Sequence, residues 1–201
     1  MTVPARRTQR ERREGTIRKL LDAATDTLIE VGYAEASVQR ICDRADVSQG
    51  ALFRHFATRE ELMVAVGADV GARILDGYRK KFVVAAKRKS DIEAALRLVR
   101  EACRSRLNQA WYELETASRT NENLRKALEA VSRSYFDAIT QLARELLPEL
   151  AMKLGPSFDL LVTSVIMMFD GETTHRFLVR DPETEDARLA LLVRGMSMFA
   201  G

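Results

Sequence analysis

Residues 37–56 read SVQRICDRADVSQGALFRHF, and three short pieces follow from the local chemistry of that stretch. Ser37 can cap a helix whose inner face is Val38, Ile41, Cys42 and Ala45. Asp46 takes a tight-turn position, where a left-handed backbone is wanted and Asp tolerates it, and Val47 plugs the corner between two helices. Ser48 caps a second, short helix from Gln49 to about His55. Its Leu52 and Phe56 point inward, leaving Gln49, Gly50, Arg54 and His55 to face outward.

That is the pattern of a helix-turn-helix, whose second helix enters the DNA major groove while the first braces it against the backbone. The outward residues suit the task. Gln pairs with adenine edges and Arg with guanine edges or phosphate, Gly50 permits close backbone approach, and the helix start near Ser48 offers free N–H groups to a phosphate. A surface helical hairpin with a merely solvated polar face has the same spacing. Next, Thr58 and Glu61 form a capping box that starts another helix, with Arg59 beside its start and within reach of a phosphate.

Upstream, Ile17, Leu20, Leu21, Ala24, Leu28 and Val31 make one apolar stripe, and Gly32 stands where a helix cap favours glycine. The first helix is therefore expected to end at Val31, with Tyr33 folding back on its last turn. Downstream, no proline occurs from Ala5 to Leu147. Further helices are predicted over 91–108, 111–119, 122–147, 157–180 and 183–200, with breaks near Ser90, Asn108, Asn121, Pro148 to Pro156, and Asp181-Pro182. No run alternates as a strand would, and no internal repeat is present. The fold class expected is all-α, a small amino-terminal domain joined to a larger helical body.

Composition narrows the function. The 201 residues are 46% hydrophobic and 30% charged, too apolar for disorder. Asp159, Thr163 and Ser164 interrupt the richest apolar region, 158–169, so no membrane span is expected. The amino terminus lacks the apolar core of a secretory signal, which gives a cytoplasmic location as the expectation. Cys42, Cys103, His55 and His175 have no zinc or disulfide spacing, and both thiols read as small buried hydrophobes. No metal or cofactor is expected. Neither a phosphate loop nor a GxSxG or HExxH motif is present, so no catalytic residue is assigned and an enzyme is the weaker reading. The first 20 residues hold seven Arg and Lys against two Glu, on a chain whose net charge is +3. Residues 1–12 thus form a basic arm, either a polyanion contact or a solvated tail.

Gly32-Tyr33, Ser37, Ile41, Ala45, Val47-Ser48, Gly50 to Phe53, His55-Phe56 and Thr58 to Leu62 together resemble the DNA-binding domain of the TetR family of transcriptional regulators, over about residues 13–66. A glycine is usual in that family where this chain has Asp46, and a phosphate-binding tyrosine where it has Phe53. Phe53 is therefore expected to pack or to touch a base through apolar contact. The resemblance implies phosphate contacts from Ser37, Ser48, His55, Thr58 and Arg59, and base readout by Gln39, Arg40, Gln49, Gly50 and Arg54. The arm's arginines would follow the adjacent minor groove.

For residues 67–201 the resemblance implies an effector-binding and dimerisation domain. Two stripes fit a dimer face: Leu161, Val165, Met168 and Phe169, and Leu189, Leu192, Val193, Met196 and Phe199, with Gly171 and Gly195 permitting close approach. Intramolecular core would read the same way. An adaptable, largely apolar pocket for a small-molecule effector is expected around Cys103, Leu107, Trp111, Tyr112, Leu114, Met167, Met168 and Phe169. Asp170, Glu172 and His175 either orient that ligand or are polar groups of the dimer interface. Gly67 and Gly71 read as a close-packing device. The function expected is a homodimeric regulator, probing a pseudo-palindromic double-stranded operator and repressing until the effector releases it. The alternatives are a helical adaptor that has lost DNA binding and a sequence-blind DNA binder.

Overall fold

The computed structural model describes residues 8–85 and 92–200, with side chains described for 8–81 and 92–198. Arg6 and Arg7 of the basic arm, the break near Ser90 and the side chain of Phe199 lie outside the described residues. Ten helices and no strand occur among the described residues: α1 Gln9–Glu35, α2 Val38–Ala45, α3 Gln49–Phe53, α4 Arg59–Ala85, α5 Ile92–Cys103, α6 Arg106–Ser118, α7 Glu122–Leu146, α8 Pro148–Leu154, α9 Ser157–His175 and α10 Pro182–Ala200. No single described helix is long and apolar enough to cross a membrane.

The helices group into two compact units. One takes Met1–Val70 with Gln109–Val131, the other Gly71–Asn108 with Ser132–Gly201. The domain expected over 13–66 thus lies within the first unit, which also includes a segment much further along the chain.

In the first unit, Leu20, Ala24 and Leu28 of α1, Ile41 and Cys42 of α2, Leu52 of α3, Leu62 and Val66 of α4, and Leu114, Leu124 and Leu128 of α6 and α7 form the core. Gly67 lets α4 come close to its neighbours: a Cβ there would lie 3.1 Å from a Leu128 methyl and 3.3 Å from the Trp111 ring. Arg18 of α1 forks onto Asp69 of α4 at 2.6 Å and also holds Asp22. The chain does leave the helical conformation just after Val31, with φ +75° at Gly32, yet it resumes and runs to Glu35. That backbone conformation, ψ 171° at a positive φ, is one that glycine alone takes readily, and Glu113 of α6 packs against it. Its carboxylate accepts the Tyr33 N–H at 3.2 Å and lies 3.1 Å from where a Cβ of residue 32 would be.

In the second unit the helix ends move for identifiable reasons. The Ser105 hydroxyl accepts the Asn108 N–H, so α6 starts at Arg106 rather than after Asn108. The segment expected to be a break after Leu147 contains α8, because Pro148 takes the first helical position and Gly155, at φ +52°, ends the turn. Helix α9 stops at His175, and Phe177, Leu178 and Val179 stand exposed before Asp181 caps α10 through the Thr184 N–H.

A candidate nucleic-acid interface and an apolar cavity

Each turn of the 37–56 stretch forms as its residues require. The Ser37 hydroxyl accepts the Arg40 N–H at 3.3 Å, and the Ser48 hydroxyl accepts the Ala51 N–H at 3.2 Å. Asp46 adopts the left-handed conformation at φ 53°, ψ 52°. At the start of α4, Thr58 accepts the Glu61 N–H, while the Glu61 carboxylate reaches one residue beyond the usual box to the Ala57 N–H at 2.6 Å.

Ile41, Cys42, Ala45, Leu52 and Phe56 are buried, and this fixes which side of α2 and α3 faces out. Ser37, Gln39, Arg40, Ser48, Gln49, Gly50, Phe53, Arg54 and Thr58 are all exposed. Phe53 is 47% exposed, an aromatic ring on a polar face. No atom comes within 4 Å of where a Cβ on Gly50 would be, so the fold itself does not ask for glycine there. Gln49 donates from Nε2 to Gln39 Oε1, and Gln39 donates from Nε2 to Asp43 at 2.6 Å. Arg40 reaches Glu35 at 3.5 Å.

Two of the candidates are turned inward. Arg59 donates from Nε to the Ala36 carbonyl at 3.0 Å and from a terminal nitrogen to the Tyr33 carbonyl, with its guanidinium 4.1 Å over the Tyr33 ring. The expected phosphate ligand therefore fastens the end of α1 to the start of α4. Local sequence could not reveal this, because both carbonyls lie more than 20 residues away. His55 is half-buried, with Nδ1 enclosed and unpartnered. Within the basic segment, Arg18 is occupied by Asp69 and Asp22 and Arg10 pairs with Glu14 at 2.8 Å, while Arg12, Arg13 and Lys19 are also exposed. Carboxylates beside Arg18 hold its guanidinium well above the ordinary range, the Asp69 hydrogen bond contributing most.

The expected pocket residues divide between the two units. Trp111 and Tyr112 belong to the first unit, whereas Cys103, Leu107, Met167, Met168, Asp170 and His175 belong to the second. Met167 is 61% exposed and His175 is exposed as well. Cys103 is buried beside Asp170, which also accepts from Asn108 Nδ2 at 3.3 Å. Burial first, then the Asp170 charge, push the thiol far up.

The second unit instead contains a cavity of about 70 Å³ that none of those eight residues line. It is built by facing stripes: Ala95, Leu96 and Val99 of α5, Ile139, Leu142 and Ala143 of α7, and Phe158, Leu161, Val165 and Ile166 of α9, with Tyr78 and Met196. Among the described lining residues only Tyr78 has a side-chain nitrogen or oxygen. Leu161, Val165 and Met196, expected at a dimer face, belong to this lining, and Leu189 is buried. The three- and four-residue periods of these stripes were visible in sequence. A filled core gives the same periods, so they could not reveal a void.

Glu172 is buried and is not among the residues that line the cavity. It is 4% exposed at the side chain, where it accepts from Arg100 at 2.9 Å and Arg104 at 2.6 Å. Glu185 and Asp186 of α10 join the cluster, at 2.8 Å from Arg104 and Arg100 respectively, and Arg176 and Arg188 add contacts to Glu185 at 3.3 Å and to Glu172 at 3.5 Å. On α9 and α10 the large apolar residues that face outward, among the described side chains, are Leu160, Met167, Leu191 and Met198. They sit seven residues apart on each helix, with Ser164, Gly171 and Arg194 also exposed.

Comparison with known proteins agrees with this geometry. Residues 20–66 match the family model described as bacterial regulatory proteins, tetR family. The chain is similar to an uncharacterized HTH-type transcriptional regulator of Mycobacterium tuberculosis, 38% identical over 92% of this chain and 95% of that one. Its fold is similar to Salmonella enterica GusR, at TM-score 0.63 and 18% identity over 92% of this chain and 94% of that chain. It is also similar in fold to the transcriptional regulator FadR from Bacillus subtilis in complex with stearoyl-CoA, at TM-score 0.60 and 18% identity over 92% and 97%. The Mycobacterium tuberculosis and Bacillus subtilis proteins are transcriptional regulators. With an all-helical chain, a capped helix-turn-helix in its first unit and a relative alike along nearly the whole length, this protein belongs to the TetR family of DNA-binding transcriptional regulators.

Proposed function

We propose that the protein is a ligand-responsive repressor, working in the cytoplasm, that binds a pseudo-palindromic operator as a homodimer and releases it when a largely apolar small molecule binds. The observation that carries this reading is the outward face of α2 and α3. Ser37, Gln39, Arg40, Ser48, Gln49, Gly50, Phe53, Arg54 and Thr58 form one exposed surface over a buried apolar base. Arg54 and Gln49 are assigned to base edges, Gly50 to close approach, and Ser37, Ser48 and Thr58 to phosphates.

A single reading head is a weak one, and two related by a two-fold axis double the contacts. The outward stripe Leu160 and Met167 on α9, with Leu191 and Met198 on α10, supports a second copy as its occupant: large apolar residues at heptad spacing are costly to leave in water. For the effector, the largely apolar cavity of the second unit supports an apolar ligand, since among the described lining residues a buried charged group would meet only the Tyr78 hydroxyl. FadR, solved with stearoyl-CoA, is a fold relative whose ligand has a long hydrocarbon part. The ligand acts by its differential affinity for DNA-competent and DNA-incompetent arrangements, and a few kcal/mol of coupling suffices.

Selection of the purified protein against a random duplex library near physiological salt tests the reading. An enriched pseudo-palindrome is expected. A folded protein that enriches no sequence would overturn it. In sedimentation equilibrium the wild type is expected to run as a dimer and the double variant Met167→Glu/Leu191→Glu as a monomer.

A further inference from the structure

Gln39, Asp43 and Gln49 form an exposed chain of hydrogen bonds across the helix-turn-helix. Gln39 Nε2 donates to Asp43 Oδ1 at 2.6 Å, and Gln49 Nε2 donates to Gln39 Oε1. Asp43 lies one turn after Gln39 on α2, and Gln49 opens α3. An ionised carboxylate only accepts, whereas an amide presents a donor on one side and an acceptor on the other. Facing Asp43, Gln39 must turn its nitrogen towards the carboxylate, because the reverse sets two acceptors against each other with no proton between them. The Gln39 oxygen is then the atom offered to α3, and Gln49 must meet it with nitrogen.

We infer that Asp43 is a specificity-determining positioning residue, which acts through Gln39 to hold the Gln49 amide in the orientation that reads adenine. The inference rests on α3 as the reading helix. An amide nitrogen has two N–H bonds. With one given to Gln39, Gln49 keeps its second N–H and its Oε1 for the groove, one donor beside one acceptor. Adenine shows the complement in the major groove, an N6 donor beside the N7 acceptor. Guanine shows only acceptors there, O6 and N7, so a fixed Oε1 faces O6 and is repelled. In free protein, water competes for each of these exposed bonds. Against a duplex that excludes water, a reversed amide would leave the acceptor clash unrelieved, and the relay then selects between bases.

The test is library selection with the full-length protein and four variants. Gln49→Ala identifies the operator position that Gln49 reads, as the one whose information is lost. At that position the wild type is expected to prefer adenine to guanine by about tenfold. Asp43→Asn, which can present either end of its amide, is expected to lower that preference several-fold and to leave the other positions unchanged. Gln39→Glu/Asp43→Asn moves the carboxylate one link along the relay, where it accepts from both neighbours, and is expected to restore adenine. Gln39→Glu alone sets two carboxylates together and serves as the control for the added charge. All three side chains are exposed, so each variant should melt with the wild type.

An Asp43→Asn profile that superimposes on the wild type, or that falls evenly at every position, would overturn the assignment of Asp43. So would a base other than adenine at the Gln49 position. A site enriched by the wild type but indifferent to Gln49→Ala would instead remove α3 as the reader, and the relay with it.

Discussion

Arg59 shows how a single side chain changes role once its surroundings are known. Its Nε and one terminal nitrogen bind the Ala36 and Tyr33 carbonyls, and its charge lies over the Tyr33 ring. Charged hydrogen bonds of this kind contribute roughly 1.5–3 kcal/mol each, and a partly desolvated cation over an aromatic face adds about 1. Water replaces part of these contacts around a half-buried side chain, so Arg59→Ala is expected to lower the urea midpoint by the equivalent of about 2–3 kcal/mol. The remaining folded protein should keep the wild-type salt slope of operator binding, whereas a phosphate ligand would reduce that slope by about one. Gly50 gives the opposite separation. Nothing lies within 4 Å of its missing Cβ, so Gly50→Ala should stabilise the protein by about 0.5–1 kcal/mol. Loss of operator affinity in that more stable variant would mark the duplex as what glycine makes room for. Unchanged affinity would remove Gly50 from the contact surface.

Cys103 and Tyr135 carry the pH dependence at this scale. Burial first, then neighbouring charges, push both acids upward, so the native state keeps protons that an unfolded chain releases. Above the thiol's ordinary value of about 8.5 the unfolded state binds fewer protons than the native state, and stability falls as pH rises, by up to about 1.4 kcal/mol per pH unit for each such group. Denaturant melts at pH 8 and pH 10 should show that loss, and Cys103→Ala should show less of it.

At the level of helices, the buried ion cluster fixes how α5, α9 and α10 meet. Arg100, Glu172 and Glu185 are all nearly inaccessible. Breaking such a group by removing one member leaves an uncompensated charge and costs about 3–5 kcal/mol, whereas replacing both partners with apolar residues of similar size costs far less. Glu172→Ala is expected to be severely destabilising, and Arg100→Met/Glu172→Leu to recover most of the loss, as read from paired urea melts. The same cluster marks where sequence reading stops. Caps, turn residues and apolar periods are local, so Ser37, Asp46, Ser48 and the extents of α2, α7 and α10 could be read to within a residue or two. Glu172 and Arg100 are 72 residues apart in the chain, and no local pattern separates a buried glutamate from a ligand-facing one. The dimer stripes failed to resolve for a related reason. Leu161 and Leu160 are neighbours, one lining a cavity and the other 70% exposed, and the choice between them depends on what packs opposite.

Over the whole molecule, the first unit is discontinuous. Glu113 accepts the Tyr33 N–H, and Trp111, Leu114 and Leu128 crowd the bare face of Gly67, so residues 109–131 complete what residues 8–70 begin. A fragment ending at Val70 would expose that apolar face and leave the Tyr33 N–H without its carboxylate. It is expected to bind a hydrophobic dye and to show a broad, weak thermal transition, where the full chain melts cooperatively.

For anyone building chimeras, that discontinuity changes where the cuts belong. A DNA-reading head transplanted from a relative by a single crossover near residue 70 would arrive with a foreign lid, its Gly32 kink facing whatever side chain the host supplies at position 113. Exchanging two segments together, with position 113 travelling alongside residues 32 and 33, keeps donor contacts with donor contacts.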